Sequence, residues 1–102
     1  MVLEEALAAA KIAANETHAR IGTRDTCGYA NVCIVPARGK FVTVLRRRGI
    51  GRTLQGHGYL VWPSDLHDVL TQSITVHENA AKAFAEVVCK YGVNAYAEAR
   101  MD

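Results

Sequence analysis

The middle of this chain lacks acid. Residues 27–64 contain no Asp or Glu, while Arg38, Lys40, Arg46, Arg47, Arg48 and Arg52 give them a net charge of +6. The flanks oppose this: residues 1–26 carry −1 and residues 65–102 carry −3, so the overall +2 conceals a sharp division. Segregated charge of one sign speaks to partners and not to fold, and an anionic partner is the first to consider.

Other absences narrow the field. No apolar run approaches the roughly 18 residues of a membrane span, so no membrane partner is expected. The opening "MVLEEALAAAK" has glutamates where a secretory signal carries lysines, and reads as part of the folded protein. The 3 cysteines include no CxxC pair, which fits free thiols in a reducing compartment and a cytoplasmic setting. His18, His57, His67, His77, Cys27, Cys33 and Cys89 are ligand types, but none are paired at the short spacing of a zinc site. Neither metal nor cofactor is expected. Bulky side chains are also few, since alanine makes up much of the 50% hydrophobic content. The core must therefore rely on close approach of helices to a sheet.

What is present reads as one domain, 1–102, of class α+β. Leu3, Leu7, Ala10, Ala14, His18 and Ile21 recur at steps of three and four, predicting a helix to about Arg20 that Gly22 stops. Ile12 falls on its opposite face. "CGYANVCIV" alternates as a strand, and "PARG" follows as a turn in which Gly39 is free to take positive φ. "KFVTVLRRR" is expected to return as the second strand of a hairpin, covered on both faces and central. Residues 49–58 read as a glycine-rich loop, "YLVW" as a short strand, and 63–74 as either a helical turn or a loop. "TVHE" at 75–78 predicts a capping box opening a helix that buries Val76, Ala80, Phe84, Val87 and Tyr91. "VNAYAEAR" is the last strand. The expected order is α-β-β-(β)-α-β, a mixed sheet of three to four strands with helices on one face, the last strand pairing parallel to the third or to a strand left open by the hairpin.

The glycine loop "GIGRTLQGHG" has neither the GK[ST] ending of a P-loop nor a helix directly after it, so no helix N-terminus is offered to a phosphate. Ser64, Asp65 and His67 are sequence neighbours, whereas catalytic triads gather distant residues. Cys27 with His57 would make a nucleophile and base only if the fold joined them. No catalytic residue is assigned. The arginines remain, suited to bidentate phosphate contact, with Tyr59 and Trp62 as candidate stacking partners. The helix–strand–strand–strand–helix order is shared with double-stranded RNA-binding domains, but "TVHENAAK" lacks the lysine cluster with which that family grips phosphate, and the assignment fails.

From about residue 26 onward, the Cys-Gly strand start, "RGKFV", "GIGR", "KAFA" and the terminal Ala-Arg-x-Asp resemble small proteins carried by bacteriophages and other mobile elements. That resemblance implies a mobile-element origin and a cytoplasmic setting, and no chemistry. The expected function is a small non-catalytic binding or interaction module, an accessory protein of such an element. A homodimer through an open sheet edge or around Ile12 is one expected partner. The alternative is a nucleic-acid-binding domain using Arg38, Lys40, Arg46, Arg47, Arg48 and Arg52 on a 38–52 basic hairpin.

Overall fold

A computed structural model describes residues 1–22 and 24–101; Thr23 and Asp102, the last residue of the Ala-Arg-x-Asp motif, lie outside the described residues. The elements run α1 (Val2–Ile21), β1 (Gly28–Ile34), α2 (Lys40–Arg47), β2 (Arg52–Leu54), β3 (Gly58–Val61), α3 (Pro63–Leu66), α4 (Ile74–Lys90) and β4 (Ala95–Met101). The class is α+β: one four-stranded sheet in the order β2-β3-β1-β4, with the helices packed against it. After α1, the chain forms two interleaved split β-α-β units: β1-α2-β2, with β3 lying between the strands, and β3-α4-β4, with β1 between them.

Three expectations are corrected here. Residues 40–48 are not a strand, and no 38–52 hairpin exists: residues 40–47 form α2. Phe41, Val42, Val44 and Leu45 suit both periods, because four apolar residues in so short a run line a helix face as well as two strand faces. The helix wins because the outward Lys40, Thr43, Arg46 and Arg47 stay in solvent and the two terminal arginines complement the helix dipole. Gly39 sits before it at φ 113°, a conformation that side-chain-bearing residues avoid. The second correction concerns β4, which pairs antiparallel with β1 from Gly28↔Met101 to Ile34↔Ala95, so the sheet is antiparallel throughout and not mixed. Third, α4 begins earlier than the capping box predicts. Ser73 caps it, its Oγ accepting from Val76 N–H at 3.2 Å. Asp25 Oδ2 in turn accepts from Ser73 Oγ at 2.6 Å and from Thr75 N–H at 2.9 Å.

The core occupies the helix side of the sheet. Ala30, Val32 and Ile34 of β1, Tyr59 and Val61 of β3 and Ala95 of β4 meet Val42 and Leu45 of α2, Leu66 of α3 and Val76, Ala80, Phe84 and Val88 of α4. α1 lies along α4 on a stripe of Leu3, Ala6, Ala10, Ala14 and Thr17, where alanines permit close helix approach. Asn79 Nδ2 donates to Thr17 Oγ1 at 3.0 Å at one end of that contact, and Tyr91 OH to Glu5 at 2.8 Å at the other. Leu7 and His18, expected on the stripe, flank it half-buried while Ala6 and Thr17 lie within it, and Tyr91, expected in the core, is exposed at the cap of α4. Residues 63–74 resolve into the short α3 and an extended connection to Ser73.

Candidate functional site

Strand alternation assigns every second residue of the sheet to the side away from the helices. On β1 these are Tyr29, Asn31 and Cys33; the register sets Tyr96 opposite Cys33, Glu98 opposite Asn31 and Arg100 opposite Tyr29 on β4. Leu60 of β3 lies opposite Cys33, and Arg52 of β2 opposite Leu60. Trp62, one step beyond β3, lies on the same face in the neighbouring row, and the Arg52 guanidinium lies over its ring, 5.6 Å from the centroid. The face thus has a cross-strand row Arg52–Leu60–Cys33–Tyr96 with Trp62, Asn31, Glu98, Tyr29 and Arg100 beside it.

No described helix covers this face. Leu60 and Cys33, although buried, are absent from the hydrophobic core on the helix side. They are shielded by the larger side chains around them, of which Tyr29 remains 37% and Tyr96 47% exposed. Burial pushes the Cys33 thiol pKa up, which keeps it protonated and inert as a nucleophile. In the centre, Asn31 is 6% exposed and its Oδ1 has no hydrogen-bond partner among the described residues. An amide oxygen held so on a face that no described helix covers is a ready acceptor for a donor that displaces its neighbouring side chains.

The structure disperses the predicted basic residues. Arg52 alone belongs to the open face. Arg46, exposed in the last turn of α2, lies across to β2: its guanidinium donates to Thr53 Oγ1 at 2.6 Å and to the Ala37 carbonyl at 3.3 Å, and it lies over the Tyr59 ring. Arg46 therefore ties α2 to β2. Arg48 pairs with Glu4 of α1 at 2.9 Å, and that hydrogen bond holds the Glu4 carboxyl below its ordinary pKa. Arg38, Lys40 and Arg47 are exposed and have no acid within ion-pair distance among the described residues. Arg38 and Lys40 border a cleft of about 310 Å³ at the start of α2, away from the open face. Tyr59, a candidate stacking partner, is buried, with its hydroxyl donating to the Ile50 carbonyl; Trp62 does reach the surface.

Other candidate chemistry stays apart. Cys27 precedes the first residue of β1, while His57 lies in the β2–β3 turn beside the last, a separation of roughly 20 Å at strand rise. Among the described residues, no three His, Cys, Asp or Glu side chains gather as a metal site. His67 and His77, unremarked as a pair in the sequence, stack with their ring nitrogens 3.0 Å apart. Val69 N–H donates to His67 Nδ1, leaving His67 Nε2–H to donate to His77 Nδ1 and His77 Nε2–H to the Thr71 carbonyl. Burial lowers both pKa values, with His77 adding to the effect on His67, so this relay is a neutral clasp between α3 and α4. No helix of the described chain is long and apolar enough to cross a membrane.

No protein-family model, curated protein or solved structure matches the chain. The assignment of function rests on the geometry.

Proposed function

We propose that this protein is a non-catalytic binding module whose partner is single-stranded nucleic acid, held on the open face of the sheet. One observation carries the reading: a sheet face, free of helices among the described residues, that presents Tyr29, Tyr96 and Trp62 together with Arg52 and Arg100. Exposed aromatic rings on a sheet offer π-faces to unpaired bases, and arginine beside them supplies phosphate contacts. Duplex is the poorer partner, because its bases are already stacked on one another and closed to the rings of the face.

This reading shifts the predicted interface. Arg38, Lys40 and Arg47 serve on it as peripheral charge that attracts the backbone from around the molecule, while Arg46 and Arg48 act within the fold. The non-catalytic part is supported by the separation of Cys27 from His57. A cytoplasmic setting and origin in a mobile element are proposed with it, on the free thiols and on the sequence resemblance.

The test is fluorescence anisotropy with a labelled unstructured oligonucleotide. Binding is expected at low salt, weakening steeply between about 50 mM and about 200 mM, and unlabelled single strand competes better than duplex. The joint substitution Tyr29→Ala and Tyr96→Ala abolishes binding while the circular dichroism spectrum and melting temperature hold. An absence of binding at low salt overturns the proposal.

A further inference from the structure

The outer edge of β4 presents seven residues, against three at the β2 edge. Val35 N–H donates to the Asn94 carbonyl at 3.1 Å, one step beyond the Ile34↔Ala95 pair. The hydrogen-bonded pairs with β1 therefore continue at Tyr96, Glu98 and Arg100, and the backbone groups of Ala95, Ala97, Ala99 and Met101 turn outward. The Ala95 carbonyl accepts from the Cys89 thiol at 3.2 Å, which agrees with that direction. Ala97, Ala99 and Met101 keep their outward N–H and C=O groups without a partner among the described residues. The edge has no Pro, no Lys and no break in register, the devices by which sheets discourage further pairing.

We infer that this edge pairs with β4 of a second copy, antiparallel, about a two-fold axis at Ala99. In that register Ala99 bonds to the partner's Ala99 and Ala97 to the partner's Met101, using only the outward backbone groups. Glu98 then faces the partner's Arg100 in the closely spaced, non-hydrogen-bonded position, and by symmetry the pair occurs twice. An axis at Glu98 sets the two glutamates against each other, and an axis at Ala97 sets Tyr96 against Glu98. The Ala99 axis is the one of the three that matches opposite charges. It also seats Met101, which is 71% exposed, beside the small Ala97 of the partner. In the monomer Glu98 and Arg100 face each other along one strand at 3.7 Å, so dimerisation exchanges the two internal pairs, one in each protomer, for two intermolecular ones. The product is a continuous eight-stranded sheet with both open faces on one side.

Sedimentation equilibrium on the full chain, without nucleic acid, tests this independently of the proposed function. A monomer–dimer equilibrium is expected across micromolar to millimolar protein. Glu98→Arg and Arg100→Glu each raise the dissociation constant about tenfold, since each reversal sets two like-charged pairs face to face. The double exchange, Glu98→Arg with Arg100→Glu, restores association. Two single reversals at exposed side chains guard against a folding defect in one, and circular dichroism reports it. A chain that stays monomeric throughout, or a dimer indifferent to both reversals, overturns the inference; the latter places the interface elsewhere, for instance around the exposed Ile12.

Discussion

The two faces of the sheet are built from the same strands and differ in kind. Toward the helices, β1 presents Ala30, Val32 and Ile34, enclosed by aliphatic residues with Tyr59 and Phe84. Toward solvent, the same strand presents Tyr29, Asn31 and Cys33, and its neighbours add Tyr96, Trp62, Arg52 and Arg100. Period-two alternation thus divides the strand residue by residue: one face packs into the core under the helices and the other carries the groups proposed to contact a partner. On the proposed function, the difference makes stability and binding separable, and substitutions can be sorted by the parity of their position.

The strongest attempt to break that division starts in the core. Phe84→Ala is expected to destabilise the fold by about 3–5 kcal/mol in urea unfolding, because a fully buried ring leaves a cavity between α4 and α2. Next comes the open face: Tyr96→Ala is expected to weaken single-strand binding by about 1–3 kcal/mol in anisotropy titrations while shifting stability by less than about 0.5 kcal/mol. If Tyr96→Ala unfolds the protein, the faces are not separable.

The histidine clasp sharpens the comparison through pH. His67 and His77 are neutral in the fold with pKa values below the ordinary value of about 6.5, so the unfolded chain binds more protons in acid. Their stabilising contribution is complete above about pH 6.5 and is lost as the pH falls below it. Melting temperatures between neutral and mildly acid pH should therefore decline, and His77→Gln should flatten that slope. Asp25 behaves otherwise. The hydrogen bonds from Ser73 and Thr75 hold its carboxyl well below the usual carboxylate range, so its contribution is complete above about pH 4 and is lost progressively as the pH falls below it. Ser73→Ala, which removes the α4 cap, is expected to cost about 1 kcal/mol in urea unfolding. The smallest effect falls on α2: Arg47→Glu should lower affinity slightly for every sequence alike and reduce the salt slope by about 1, without loss of binding.

The helical ends of the chain were legible because their patterns are long. α1 and α4 repeat apolar residues over several turns, and β1 and β4 alternate cleanly. α2 was not legible: eight residues with apolar groups at 41, 42, 44 and 45 carry no period long enough to separate helix from strand, and the crossover that requires a helix there is a property of the whole sheet. The cap of α4 was displaced by two residues because Ser73 is reinforced by Asp25, 48 positions away. The site was half legible. Charge counting found Arg52 and a basic middle third but could not distribute the arginines between an open face and helix ends. Tyr29 and Tyr96 were visible as alternating strand residues, yet only the pairing of β1 with β4 brings them to one surface. The His67–His77 contact joins residues ten apart through a loop and left no pattern in the sequence.

The central claim, that the open face of the sheet is the binding surface, is tested most directly by mapping amide chemical shifts on titration with a short unstructured oligonucleotide. The account predicts perturbations concentrated at Tyr29, Asn31 and Cys33, at Leu60 and Trp62, and at Tyr96, Glu98 and Arg100, with α1 and α4 silent. Perturbations confined to Lys40–Arg48, or none at all, would contradict it.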